Sequence, residues 1–210
     1  MPHGDWNSVK LFMLMLIILN PFSQVLYLRE LFNQLALRHF FMVHLWATGY
    51  SFAIFFVFAI FGEPILTDLF QIRLGSLRVF GGLINLYVAY RYVTAGEGST
   101  QLFRGDVTDL APRIALPYMV GPGMLWVSIM IGEVHGIVLG TGIIVGVLAV
   151  NMLFVLFAYG IFRRAEAERE TAFTKLFAML MRIMALFVGA VGVEMIVGGL
   201  QDLLQSGSPT

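Results

Sequence analysis

Two short interruptions stand inside apolar runs: Asn20-Pro21 within Leu11 to Leu28, and Gly121-Pro122-Gly123 within Ile114 to Ile131. Proline has no N–H to offer the carbonyl four residues back, Ile17 in one run and Tyr118 in the other. Its ring also pushes the preceding residue away from helical angles. Each run is therefore expected to split into two half-helices, the second opening on a capping residue, Asn20 or Gly121, with proline at the first helical position. The N–H groups of Phe22, Ser23 and Gln24, and of Gly123, Met124 and Leu125, are then expected to be free. Helix ends of that kind attract anions. The chemistry in view is binding: no nucleophile, base and orienting group recur together near either break, and an enzyme is not expected. For either break alone, a proline kink without a ligand is the plain alternative.

Three charged residues fall inside apolar runs, where charge is costly and tends to be paired or functional: Arg78, Arg182 and Glu194. Arg78 and Glu194 are expected at similar depth and read as an ion pair, with an Arg78 that reaches to the surface and a proton-carrying Glu194 as the rivals. Arg182 is expected level with Tyr90, bonding a tyrosine hydroxyl or carbonyls freed at a break. Asn85, Asn151 and His44 read as hydrogen bonds between helices, and Gly136, Gly140, Gly142 and Gly146 as close packing. His3, His39, His44 and His135 have no metal-site spacing, and no cysteine is present. Neither a metal nor another cofactor is expected.

The elements that must hold these residues are membrane helices. The 210 residues are 59% hydrophobic and 12% charged, with mean hydropathy +0.84, too apolar for a soluble domain. A net charge of zero gives no reason to expect nucleic acid as a partner. At about 20 apolar residues per crossing, six spans are expected, at 9–28, 40–61, 74–93, 114–131, 136–162 and 174–200. The first is too long for a leader and reads as a retained span. Arg29 to Arg38 reads as a helix in the headgroup layer, and the glycine-containing stretch Thr94 to Arg113 as a flexible linker.

Leu77-Arg78-Val79-Phe80-Gly81 resembles Met181-Arg182-Ile183-Met184-Ala185, at nearly the spacing that separates Pro21 from Pro122. This predicts two three-helix repeats, 1–93 and 114–210, joined by the linker 94–113. Three is odd, so the second repeat enters the membrane inverted, as in secondary transporters whose broken helices meet near the midplane. The fold class expected is thus an all-α polytopic membrane protein whose first and fourth helices are broken. Chance similarity between apolar segments is the alternative.

These residues resemble those of the MarC family. Asn20-Pro21-Phe22, Arg78-Val79-Phe80-Gly81-Gly82-Leu83, Ile114-Ala115-Leu116-Pro117 leading to Gly121-Pro122-Gly123, and Arg182-Ile183-Met184 carry the likeness over essentially the whole chain. Where the family has glycine and a second proline after Asn-Pro, this chain has Ser23 and Leu26, which marks a divergent branch. The resemblance implies a bacterial or archaeal inner-membrane protein that moves glycine, alanine and related neutral amino acids. The six-span plan is more distantly similar to that of thiol-disulfide electron carriers, whose chemistry requires cysteines that this chain lacks.

The expectation is a secondary transporter of small zwitterionic solutes, with Asn20, Pro21, Phe22, Ser23, Gln24, Gly121, Pro122, Gly123 and Met124 at the substrate and Arg78, Glu194 and Arg182 in coupling. An ion or metal-ion exporter, or a non-transporting protein that binds a lipid or a partner, is the alternative. A homo-oligomer is compatible with either.

Alternating the connections between the two faces puts Arg29, Arg38, Arg91, Arg104, Arg113, Arg163, Arg164, Arg169 and Lys175 on one side, against only Lys10 and Arg73 on the other. The positive-inside rule makes the first side cytoplasmic and both termini extracytoplasmic. Alkaline phosphatase fused at the C-terminus is expected to be active and a fluorescent protein fused there dark; the converse would invert the topology.

Overall fold

The computed structural model describes residues 6–95, 110–165 and 167–205, so most of the expected linker, including Gly96, Gly98, Arg104 and Gly105, lies outside the described residues. The described elements are helical: α1 (Ser8–Leu19), α2 (Pro21–Gln34), α3 (Leu37–Pro64), α4 (Leu74–Ala95), a single turn α5 (Leu110–Arg113), α6 (Pro122–Arg164) and α7 (Ala167–Gln205). Wide π-helical turns at Ile65–Leu69 and Ile114–Met119 extend α3 and α5. Among the described residues, four stretches are long and apolar enough to cross a membrane: Ser8–Gln34, Leu37–Leu69, Pro122–Arg164 and Arg169–Gln205.

The first of these stretches is the most enclosed, and α1 and α2 form its two halves. Asn7 caps α1, its side-chain oxygen accepting from the Lys10 N–H at 2.9 Å. Leu11, Met15 and Leu19 of α1 and Val25, Leu28, Leu31 and Phe32 of α2 are buried. The separate headgroup-layer helix expected at 29–38 is not formed. Instead α2 runs unbroken to Gln34, because Leu31 and Phe32 find a core to enter. That core is aromatic: Phe32 stands edge-on to Phe40 and Tyr159, with ring centroids at 5.1 and 5.5 Å. The Tyr159 hydroxyl and the Arg163 guanidinium donate to the Leu35 and Asn33 carbonyls at 2.9 and 3.2 Å, closing the C-terminus of α2.

At 43 residues α6 would extend about 65 Å if straight, twice the hydrocarbon thickness. It is not straight. Gly136 adopts φ 66° and ψ −177°, a combination open only to glycine. A Cβ placed on Gly140 would lie 3.2 Å from the Ile131 side chain, although a straight helix holds residues nine apart at about 13 Å. Gly136 is thus the apex of a hairpin with arms 122–135 and 137–164, not the first residue after the expected 132–135 connection. Gly140 serves the close approach of the arms and Gly146 packs against Phe12, whereas Gly142 faces open space.

The most extensive contact joins α4 to α7, followed by that of α3 with α6. Gly75 lies against Gly199 and Gly82 against Gly192, so the two helices run antiparallel. A Cβ on Gly82 would sit 2.5 Å from the Gly192 carbonyl oxygen and one on Gly192 would sit 2.8 Å from that of Gly82, so backbone meets backbone. Gly132 similarly abuts the Ala59 carbonyl of α3.

Gly82→Ala is expected to force α4 and α7 apart and cost about 1–3 kcal/mol. Gly142→Ala, at a helical site with open space, is expected to be neutral or slightly stabilising. Thermal unfolding of both variants in one detergent measures the contrast; equal melting temperatures would refute the close-contact account.

Candidate functional site

The chain leaves α1 and enters α2 through a single residue. Asn20 takes left-handed angles, φ 47° and ψ 75°, which asparagine tolerates better than other residues with a Cβ. Its N–H donates to the Leu16 carbonyl at 3.1 Å and so ends α1. Its side-chain oxygen accepts from the Ser23 N–H at 3.3 Å, while its carbonyl accepts from the Ser23 hydroxyl at 2.8 Å and the Gln24 N–H at 3.4 Å. This corrects the expectation of free donors at Ser23 and Gln24: both are satisfied by Asn20. Of the three, only the Phe22 N–H has no acceptor within its helix.

Gln24, 1% exposed, bridges the same break from the side. Its Nε2 donates to the Leu19 carbonyl at 3.2 Å, and its Oε1 accepts from Asn151 Nδ2 at 3.0 Å. The second arm of α6 is thereby tied to the interruption. Asn151 thus takes the interhelical role expected of it. Phe22 faces away into an aromatic group, edge-on to Phe154 at 4.9 Å.

The second interruption is longer. Leu116 is extended at φ −118° and ψ 120°, as a residue before proline tends to be, and Val120 and Gly121 are extended too. Pro122 then opens α6, and the Leu125 N–H donates to the Gly121 carbonyl at 3.0 Å, so it is not free as expected. Gly123 and Met124, earlier in that turn, have no acceptor within the helix. Gly123 is covered by Asn85 of α4, whose side chain occupies the space a Cβ would need. Asn85 donates in turn to the Met195 sulfur of α7 at 3.5 Å.

Both interruptions open into one cavity of about 430 Å³. Leu19, Asn20, Ser23 and Tyr27 form one wall, and Met119, Val120, Gly121, Pro122 and Met124 another. Ile84, Asn85, Tyr87, Val88, Arg91 and Tyr92 of α4, with Val188 of α7, complete it. The Tyr27 and Tyr92 hydroxyls are hydrogen-bonded at 2.5 Å. Among the described residues of the lining, Arg91 is the cation and none is a carboxylate. Asn20 is 2% exposed, and its Nδ2 has no hydrogen-bond partner. A buried amide donor without an acceptor is costly, and this one belongs to a residue of the cavity wall.

Of the residues expected at the site, Asn20, Ser23, Gly121, Pro122 and Met124 line the cavity; Pro21, Phe22, Gln24 and Gly123 stand behind the wall. The charged residues are elsewhere. Arg78 pairs with Asp202 at 3.0 Å and lies over the Trp126 ring at 4.8 Å, which corrects the expected pairing with Glu194. The antiparallel register of α7 places Asp202 within reach, whereas Glu194 is exposed on the side of that helix. Arg182 is exposed as well, beside Lys175. Tyr27, Tyr87, Arg91 and Tyr92 were not singled out as site residues. Tyr27 could have been found, since it lies on the face of Asn20 and Ser23 two turns along; the α4 residues depend on which way that helix is rotated.

Gln24→Ala and Asn151→Ala are each expected to destabilise the protein and to be non-additive, with a coupling of about 0.6–1.7 kcal/mol. A double-mutant cycle on unfolding equilibria measures it, and full additivity would mean that the bridge does not bind the break to α6.

Comparison with known proteins adds an independent observation. Residues 7–204 match the family model described as MarC family integral membrane protein. The chain is 30% identical over 154 residues to the UPF0056 membrane protein YhcE of Escherichia coli, covering 68% of this chain and 67% of that one. It is 27% identical over 191 residues to a UPF0056 membrane protein of Pyrococcus horikoshii, covering 89% and 90%. A further UPF0056 membrane protein, of Aquifex aeolicus, is 27% identical over 207 residues, covering 94% of each chain. No solved structure gives a significant match.

Proposed function

Because the chain belongs to the MarC family of integral membrane proteins, we propose that it is a secondary transporter of small neutral amino acids, glycine and alanine foremost, in the cytoplasmic membrane. The observation that carries this reading is the meeting of two interrupted helices in one largely apolar cavity, whose wall also carries Asn20, Ser23, Tyr27, Asn85, Arg91 and Tyr92. In it the carboxylate accepts from Asn20 Nδ2 and from the first turn of α6, where the helix dipole favours negative charge. The ammonium is met by the hydroxyls of Ser23, Tyr27 and Tyr92, which stand in the same wall. No catalytic step is assigned to it.

The chain crosses the membrane six times in this reading, as two inverted three-helix repeats. The α6 hairpin supports the count, because each arm has its own length of helix on one side of Gly136. The antiparallel pairing of α4 with α7 supports the inversion, because third members of two inverted repeats must run in opposite directions. Transport then proceeds by rocking of one half against the other around the cavity.

Asn20→Asp discriminates binding from folding. Aspartate keeps the helix cap, but a charge at a position only 2% exposed is costly, so the melting temperature is expected to fall and counterflow is read per folded protein. The substitution removes the free donor and sets a negative charge against the substrate's carboxylate, so alanine counterflow in proteoliposomes is expected to fall by roughly tenfold or more, about 1.4 kcal/mol per decade. Wild-type protein that exchanges neither glycine nor alanine, with or without a pH gradient, would sink the reading. An unimpaired Asn20→Asp variant would remove Asn20 from the site.

A further inference from the structure

The two arginines inside apolar runs meet opposite fates. Arg78 is neutralised within the molecule by Asp202 and the face of Trp126. Arg182 is exposed on α7 within the candidate span Arg169–Gln205, and no acceptor for its guanidinium is present among the described residues. Lys175 lies two turns before it on the same stripe, about 10 Å along the axis. The two cations flank a groove of about 430 Å³ between α7 and the end of α4, separate from the cavity between the helix breaks. Its other walls are apolar, with Val93, Met179, Ile183 and Leu186 among them, and no carboxylate stands among the described residues that line it.

We propose that this groove is a binding site for an anionic glycerophospholipid. The phosphate lies between Lys175 and Arg182, and an acyl chain runs on over Ile183 and Leu186. A charge in a span that faces outward needs a partner, and long basic side chains reach toward the headgroup layer to find one. Lys175 stands near the start of α7, on the side where the positive-inside count gathers the basic residues and where anionic lipid concentrates. A soluble anion would satisfy the two charges but leave the apolar wall uncovered; a neutral lipid would do the reverse. Only an acidic headgroup joined to an acyl chain matches both features. The site stands independently of the solute transported.

The test uses the full chain in a nonionic detergent, with melting temperature as readout. Dihexanoyl phosphatidylglycerol is expected to raise it by several degrees in a saturable way, whereas dihexanoyl phosphatidylcholine and inorganic phosphate are not. Lys175→Gln with Arg182→Gln is expected to abolish the response. If the double variant does not fold, Lys175→Gln alone, at the mouth of the groove, is expected to weaken it, and native mass spectrometry counts the bound lipid. An equal shift with phosphatidylcholine would show an apolar groove only, and an equal shift with phosphate a site for soluble anions. A double variant responding like the wild type would place the lipid elsewhere. A lipid-free dimer lost on Arg182→Gln would give the face to a second copy. Each of these four results overturns the proposal.

Discussion

The structure depends on how an interrupted backbone is satisfied where water is scarce. A peptide group without a partner costs several kcal/mol in hydrocarbon, so a break in a membrane helix persists only if other groups take over its hydrogen bonds. At the first break Asn20 supplies them from three of its own polar atoms, and Gln24 covers the Leu19 carbonyl from the side. Asn151 then holds Gln24, which draws the second arm of α6 against α2. One local defect therefore dictates a tertiary contact. What it leaves over is a buried amide donor at Asn20.

The second break is met differently. No side chain caps Gly121, and the start of α6 is covered by α4 packed onto its backbone. Glycine makes this possible: a Cβ on Gly81 would lie 2.9 Å from the Gly123 nitrogen. The same helix uses Gly75 and Gly82 to approach α7. Helix α4 is thus held by close backbone contact on two sides, and its remaining face, from Ile84 to Tyr92, closes the cavity. Packing by small residues suits a lipid-embedded protein, in which burial of apolar side chains provides little driving force between helices. Charge follows a similar division. Arg78 is enclosed among α4, α6 and α7, where an acid and an aromatic face meet it, whereas Arg182 and Glu194 point outward from α7.

Much of this was legible in the sequence because proline acts locally. Pro21 and Pro122 must interrupt a helix wherever the rest of the chain lies, and the residues before them must leave helical angles. The apolar composition likewise determined an all-helical membrane protein without reference to any contact. Tertiary structure alone decided that Asn85 of α4 covers Gly123 at the second break, because α4 reaches it only once the helices have packed. It alone chose Asp202 over Glu194 for Arg78, because residue depth along α7 does not specify rotation about the helix axis. It alone brought Tyr87, Arg91 and Tyr92 to the cavity wall, because a face of α4 acquires meaning only once α6 and α7 have packed against the others. Backbone chemistry is written residue by residue, whereas the direction a side chain faces is a property of the assembled bundle.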